Sequence, residues 1–350
     1  MRILLIKPKH IGDTLILTPT ITAIKTAYPE AEIWVMVRRG CEGILAGCPG
    51  IAQMLTLPGV EKSDRSRDNF WRQVKALLRL WSVKFDCVFE LGDGHRARLF
   101  AMLSRAKRRY SVKTSSPLTW IERRRFTVSS FDWQTCHRVE KDFNSVAEFL
   151  PLPRPIPTLR FEREFARSWK PGEDLTDFCV MQIGKRQSVS RWHRQGWEEV
   201  GRHLLERFGA LVITSGPADD ETEEAAWLQA RLGPRVLCTL GQADWPQMAG
   251  LLYRAQLYVG LDTATMHLAA ACRCPVVALF GPTIEDHWHP WQAAYRIVTS
   301  PGYAPVGDAM ERHARMKKRA MNEIDARDVV AACEELLSEA SLEGQPPACP

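Results

Sequence analysis

Between Pro151 and Thr158 the chain reads PLPRPIPT, with proline at every second position. Each proline fixes φ and removes a backbone donor, so neither a helix nor a central strand can pass through this stretch. The fold on its upstream side must close there, and the downstream side must start afresh. Upstream, the apolar run RILLI leads into a segment of helical period from Asp13 to about Tyr28, followed by EIWVMV. Gln53 to Leu57 and Phe85 to Leu91 are further strand candidates, with a helical segment from Asn69 to Ser82 between them. Downstream, FCVMQI, ALVITSG, RVLCTL, LYVGL and PVVALF alternate with intervals that fit helices of about ten to fifteen residues. A last helix is expected near Asp325 to Ala340. Short apolar strands without strict alternation belong to parallel sheets covered on both faces. A chain of 350 residues also exceeds what one core ordinarily serves. The expected fold is α/β, with two Rossmann-like doubly wound domains at 1–155 and 156–325, then a C-terminal helix and frayed tail at 326–350. Such a tandem is expected to place a cleft between the carboxyl ends of two parallel sheets, so function is sought in loops at the ends of strands.

Composition narrows the class. Apolar residues at 45% and charged residues at 25%, with no low-complexity tract, exclude a disordered scaffold. The opening MRILLIKPKH has four apolar residues in a row before Lys7 and Lys9, too short for a signal peptide or a spanning helix, and a cytoplasmic protein is expected. Ten cysteines are scattered without a CxxC pair, which points to buried reduced thiols and to no metal site. The net charge of +6 is concentrated: Arg96, Arg98, Arg105, Lys107, Arg108, Arg109, Lys113 and Arg123 to Arg125 crowd one stretch. That patch suits nucleic acid, an anionic membrane or a phosphorylated substrate, and each residue singly is equally well read as a solvated surface charge.

Three loops carry candidate chemistry. In KPKHIGDTLILTP, Gly12 permits a tight turn close to a ligand, and Asp13 at the helix start is either a cap or a general base for an acceptor hydroxyl. Neither GxGxxG nor GxxxxGK[ST] is present, which removes the dinucleotide fingerprint and the P-loop. In VGLDTATMHLAAACRCPVVALFGPT, Asp262 and Thr263 open a helix of small residues whose first N–H groups suit a diphosphate. His267, four residues on, is either a satisfied core histidine or a ligand-facing donor. In QIGKRQSVSRWHRQGW, Lys185, Arg186 and Arg191 can offset charge on a leaving diphosphate, although by itself the loop is better read as a solvated basic surface.

Together these loops resemble glycosyltransferase family 9, the ADP-heptose:lipopolysaccharide heptosyltransferases, and look most like its heptosyltransferase III branch. The likeness rests on KPKHIGDTLILTPTITAIK, with G-D-x-L at Gly12 to Leu15, and on GLDTATMHLAAACRCPVVALFGPT with Trp288, Pro290 and Trp291 after it. It implies a GT-B fold, an inverting transfer without a bound metal or other cofactor, and ADP-L-glycero-β-D-manno-heptose as donor. It also implies a lipopolysaccharide inner-core acceptor, peripheral contact with the inner face of the inner membrane, and no nucleic-acid partner. By position, Asp13 becomes the general base, Asp262 contacts heptose hydroxyls, and Thr263 with Ala264 and nearby backbone contacts the diphosphate, joined by His267. Asp219 takes the ribose, Gly241 borders the adenine, and Gly12, Lys185 and Arg191 complete the donor set. Arg96, Arg98, Arg105 and Lys107 face the acceptor. Two departures stand out: Ser190 replaces the lysine of a K-x-W segment, and Asp262-Thr263-Ala264 replaces D-T-G. Two other readings stay open on the sequence, a nucleotide-sugar enzyme with a different donor or epimerase chemistry, and a degenerate lipopolysaccharide-binding homologue.

Overall fold

The computed structural model describes residues 1–58, 67–113, 118–184, 191–300, 311, 314 and 319–342. The chain divides into two compact units, Met1–Arg160 and Phe161–Pro350.

In the first unit, β1 (Arg2–Lys7) leads to α1 (Ile11–Leu15), α2 (Thr18–Ala27), β2 (Glu32–Arg38), β3 (Ile51–Leu57) and α3 (Arg67–Ser82). Then come β4 (Lys84–Glu90), α4 (His95–Leu103), β5 (Arg105–Ser111), α5 (Trp120–Arg125), β6 (Thr127–Val128) and α6 (Arg138–Ala147). The strands form one parallel sheet in the order β3-β2-β1-β4-β5-β6. Its centre is mostly apolar: Ile3, Leu4, Leu5 and Ile6 of β1 are fully buried, with Val35 and Met36 beside them on β2, and the buried charges Lys7 and Glu90 lie at the carboxyl ends of β1 and β4.

The second unit repeats the plan. Its elements are β7 (Phe178–Gln182), α7 (Arg194–Arg207), β8 (Ala210–Thr214), α8 (Asp219–Leu232), β9 (Val236–Cys238) and α9 (Trp245–Leu252). They continue as β10 (Tyr258–Leu261), α10 (Ala264–Ala271), β11 (Val276–Phe280), α11 (Glu285–Trp288), β12 (Tyr295–Thr299) and α12 (Ala326–Leu342). The sheet order is β12-β11-β10-β7-β8-β9. In this unit as in the first, the chain's opening strand lies inside the sheet, with strands added to both sides of it, as in a doubly wound dinucleotide-binding fold. α12 belongs to this core, since Val329, Cys333 and Leu336 turn inward at helical spacing.

Some elements differ from the sequence expectation. The single helix expected from Asp13 to Tyr28 is two, because Pro19 offers no N–H to the preceding turn and sits instead in the first turn of α2. β5, read only as a basic run, is a strand, and β6 and β12 are strands that no apolar run announced. β6 pairs only with Tyr110 and Ser111, which leaves the arginine-rich start of β5 at a sheet edge, where charge is favoured. All nine cysteines among the described residues are free thiols.

Candidate active site

In a doubly wound sheet the connections leave to opposite faces on either side of the first strand, so a crevice opens at the carboxyl ends of the strands that flank the reversal. Each unit supplies one such point: β1 with β4, and β7 with β10.

In the first unit the loop after β1 packs against the loop after β4. A Cβ on Gly92 would lie 3.2 Å from Pro8 Cδ and 3.2 Å from Ala97 Cβ, a fit that favours glycine there. Asp13, half-buried, is not the N-cap of α1. His10 holds that position, and Asp13 is the third helical residue, whose Oδ2 accepts from His10 N at 3.3 Å in a capping box. Gly12 lies inside α1, and its φ is not positive, so the tight turn expected of it is not what it provides. Beside Asp13 stands a group of charges that sequence reasoning missed. Lys7 ends β1 with its ammonium on the Asp142 carboxylate of α6, and both side chains are buried. Burial pushes the Asp142 carboxyl up, and Lys7 pulls the other way. Lys141, one residue earlier, is driven down to about 8 by burial, with Asp142 opposing the shift and Lys7 adding to it. Arg138 is lowered by burial too, while Asp142, Asp13 and Asp93 act on it in the opposite sense, which places Asp13 and Asp93 in one electrostatic neighbourhood. Trp133 braces the group, with Lys141 Nζ 4.1 Å and Arg138 Cζ 4.6 Å from its ring centroid. The signal was there: Arg138, Lys141 and Asp142 stand three and four residues apart, on one helix face.

The basic stretch does not form one surface. Arg98 is fully buried, its Nε donating to Glu122 Oε1 at 2.9 Å and its guanidinium 3.9 Å from Asp93, so it is a core ion pair and not a surface contact for an acceptor. Burial raises Glu122, but hydrogen bonds from Thr119 and Arg98 outweigh it and hold the carboxyl low. Arg96 is half-buried. Arg105 and Lys107 are exposed on β5, and Lys107 pairs with Asp86 at 2.7 Å.

In the second unit β7 ends on the buried Gln182, whose Oε1 accepts from Thr263 Oγ1 at 3.2 Å. Thr263 is the N-cap of α10, and its hydroxyl donates to Gln182 while making no side-chain bond to the N–H groups of its own helix. The first N–H groups of α10 therefore keep their capacity for an anion. Asp262 and Ala264 flank Thr263, both half-buried. His267 is buried one turn further, its ring 6.0 Å from that of Trp288. Three glycines let the neighbouring loops stack. A Cβ on Gly184 would fall 1.9 Å from Glu221 Oε2, and one on Gly241, whose φ is +69, would fall 2.5 Å from Pro217 N. Glu221 Oε2 also accepts from Gly216 N at 2.6 Å. Of the acids opening α8, Glu221 is thus the one turned inward, whereas Asp219, expected to meet a ribose, is exposed. Arg191 is engaged by Asp220 at 2.7 Å and Glu221 at 3.7 Å. Lys185, Arg186 and Ser190 lie outside the described residues. No three His, Cys, Asp or Glu side chains gather to hold a metal among the described residues.

The sequence pattern of glycosyltransferase family 9 (heptosyltransferase) matches residues 73–318, well over half of the chain. The chain belongs to glycosyltransferase family 9. This family member is 27% identical to the Escherichia coli lipopolysaccharide heptosyltransferase 3, over 93% of this chain and 96% of that one. It is 29% identical to the Pseudomonas aeruginosa lipopolysaccharide heptosyltransferase 1, over 81% and 79% of the two chains. Its fold is that of an E. coli heptosyltransferase solved with ADP, at a TM-score of 0.79, 18% identity, and coverage of 96% and 100%. The E. coli ADP-heptose heptosyltransferase II is similar, with a TM-score of 0.75, 18% identity, and 97% and 100% coverage. These neighbours are GT-B proteins, and the present family member is a GT-B glycosyltransferase.

Proposed function

We propose that this glycosyltransferase moves heptose from ADP-L-glycero-β-D-manno-heptose to an acceptor hydroxyl of the lipopolysaccharide inner core, with inversion and without a bound metal. The observation that carries the reading is the N-terminus of α10, which has no side-chain cap bond and is set at the switch point of a family 9 fold. The diphosphate lies on the N–H groups of Ala264 and Thr265, with Asp262 on the heptose hydroxyls and His267 behind. Glu221, rather than Asp219, meets the ribose, and the Gly216 and Gly241 backbones border the base. Asp13 Oδ takes the acceptor proton while the acceptor oxygen bonds to heptose C1. The C1–O bond to ADP breaks with its electron pair on the leaving phosphate, whose charge the helix N-terminus meets without reorganisation. The lipid-linked acceptor puts the enzyme at the cytoplasmic face of the inner membrane. The likeness to heptosyltransferase 3 supports a side-branch heptose.

Incubation with ADP-heptose and core-truncated lipopolysaccharides of defined length, read by product mass, tests donor and acceptor together. A product gaining one heptose, formed equally in EDTA, is expected; release of free heptose alone, or of an epimerised sugar nucleotide, overturns the assignment. Asp13→Asn tests the base. Its amide oxygen still accepts from His10 N, so folding is kept, while kcat falls by roughly 10²- to 10⁴-fold with ADP-heptose affinity unchanged. Near-normal turnover in this variant removes Asp13 from the mechanism and leaves it a capping residue.

A further inference from the structure

Among the described residues, no helix is long and apolar enough to cross a membrane. One helix of the first unit nevertheless turns apolar side chains to solvent. Along α3 the inner positions Ala76, Leu77 and Leu80 meet the core. The outer face carries Trp71, Val74, Leu78 and Trp81, spaced three, four and three residues apart in a straight seam. Trp71 is 53% exposed, Leu78 63% and Trp81 62%. Leu99 and Leu103, one turn apart on α4, are exposed as well. Val74, Leu77, Leu78, Trp81 and Leu103 line an open groove with almost no polar surface. A contiguous apolar patch of this kind marks an interaction site, whereas single exposed leucines do not.

The charge around the seam identifies the partner. From Trp71 to Ser82 the helix bears Arg72, Lys75 and Arg79 and no acidic residue. Arg105, exposed on β5, reaches the Trp81 carbonyl with Nη1 at 3.5 Å and adds one more cation at the end of the seam. The nearby acid Asp86 is already paired with Lys107. We infer that this face, the α3 seam with its cationic rim, docks on an anionic lipid surface. Tryptophan and leucine enter the boundary between headgroups and acyl chains, while lysine and arginine sit among the anionic headgroups. A second copy of this chain fits poorly, because a symmetric contact through the seam would set the two cationic rims against each other. The inference deepens the function proposed above, since a lipid-linked acceptor has to be met at a membrane, but the seam itself does not depend on the donor or on the chemistry.

The test is cosedimentation of the full chain with vesicles of phosphatidylcholine alone or with about one third phosphatidylglycerol, beside the double variant Leu78→Ser/Trp81→Ser. Binding should require the anionic lipid and should weaken as salt rises through the range that screens surface charge. The double variant, altered only at exposed positions, should keep the wild-type melting temperature and lose about tenfold or more in partitioning. Absence of binding to anionic vesicles, or equal binding by the variant, overturns the inference. So does a concentration-dependent dimer in solution that the variant abolishes. Heptose transfer to a delipidated, water-soluble core oligosaccharide is measured in parallel and should be the same for both proteins. If transfer fails while the vesicles bind the wild type and release the variant, the functional reading falls and the docking surface stands.

Discussion

Lys7→Met is the perturbation that most directly probes how the first site is held. The substitution keeps the length of the stem but removes the ammonium from Asp142, a carboxylate with 0% side-chain exposure. Removing one partner of a buried ion pair commonly costs about 3–5 kcal/mol, because the other charge is left without compensation. For a unit of this size that is a drop of roughly 6–20 °C in melting temperature, at about 2–4 °C per kcal/mol. The double variant Lys7→Met/Asp142→Leu removes both charges and should regain most of the loss. Protonation gives a second signature. Burial already holds the Asp142 carboxyl above its ordinary value, with Lys7 as the first opposing influence and Lys141 acting in the same sense as Lys7. Without Lys7 the carboxyl rises further. A carboxyl raised on folding contributes stability that is fully present below its unfolded value, near 4, and is lost as pH climbs through the folded value. The variant's deficit should therefore be small near pH 4 and grow toward pH 7, as measured by scanning calorimetry across that range. A deficit below about 1 kcal/mol at pH 7, or one that does not change with pH, refutes the account of Lys7 as the counter-charge to Asp142.

Lys141 runs in the opposite sense. Its ammonium is pushed down to about 8 by burial while the unfolded chain keeps that proton to about 10.4, so this group makes stability rise between those values, and Lys141→Met should flatten the rise in a pH series of melting temperatures. At Gly241, alanine would hold a strained φ of +69 and press its Cβ on Pro217 N, so we expect a loss of about 1–3 kcal/mol together with weaker ADP binding by calorimetry. Gly233→Ala is the control: its φ is +94 but open space surrounds it, so it should cost stability and leave ADP affinity unchanged.

Both sheet centres were legible in the sequence because buried parallel strands must be apolar on both faces, and RILLI, EIWVMV, FCVMQI, ALVITSG and PVVALF have that character. The strands that were missed lie at or next to an edge. There one side of the ladder is open, and a sequence such as RAKRRYS can pair with its neighbour while showing arginine to water. Burial of single charges was illegible for a related reason. Nothing in the spacing of Arg96, Arg98, Arg105 and Lys107 shows that Arg98 alone will meet Glu122, because that contact depends on α5 returning to cover α4. In the same way, the run Asp219-Asp220-Glu221 does not reveal which acid turns inward until the Gly184 and Gly216 backbones are in place to receive it.

β1 ends on lysine and β7 on glutamine, each closing a run of buried apolar residues in the first strand of its unit. A polar side chain at the centre of a sheet covered on both faces costs free energy unless a partner meets it. The first strand of a doubly wound sheet ends at the switch point, so the partner has to lie where the ligand crevice opens. Lys7 finds Asp142 beside the Asp13 loop, and Gln182 finds Thr263 at the start of α10. In both units the residue that ends the first strand therefore fixes a group of the candidate site. In the second unit Gln182 orients the Thr263 side chain at a helix start that carries no side-chain cap bond, where the first N–H groups can meet a phosphate.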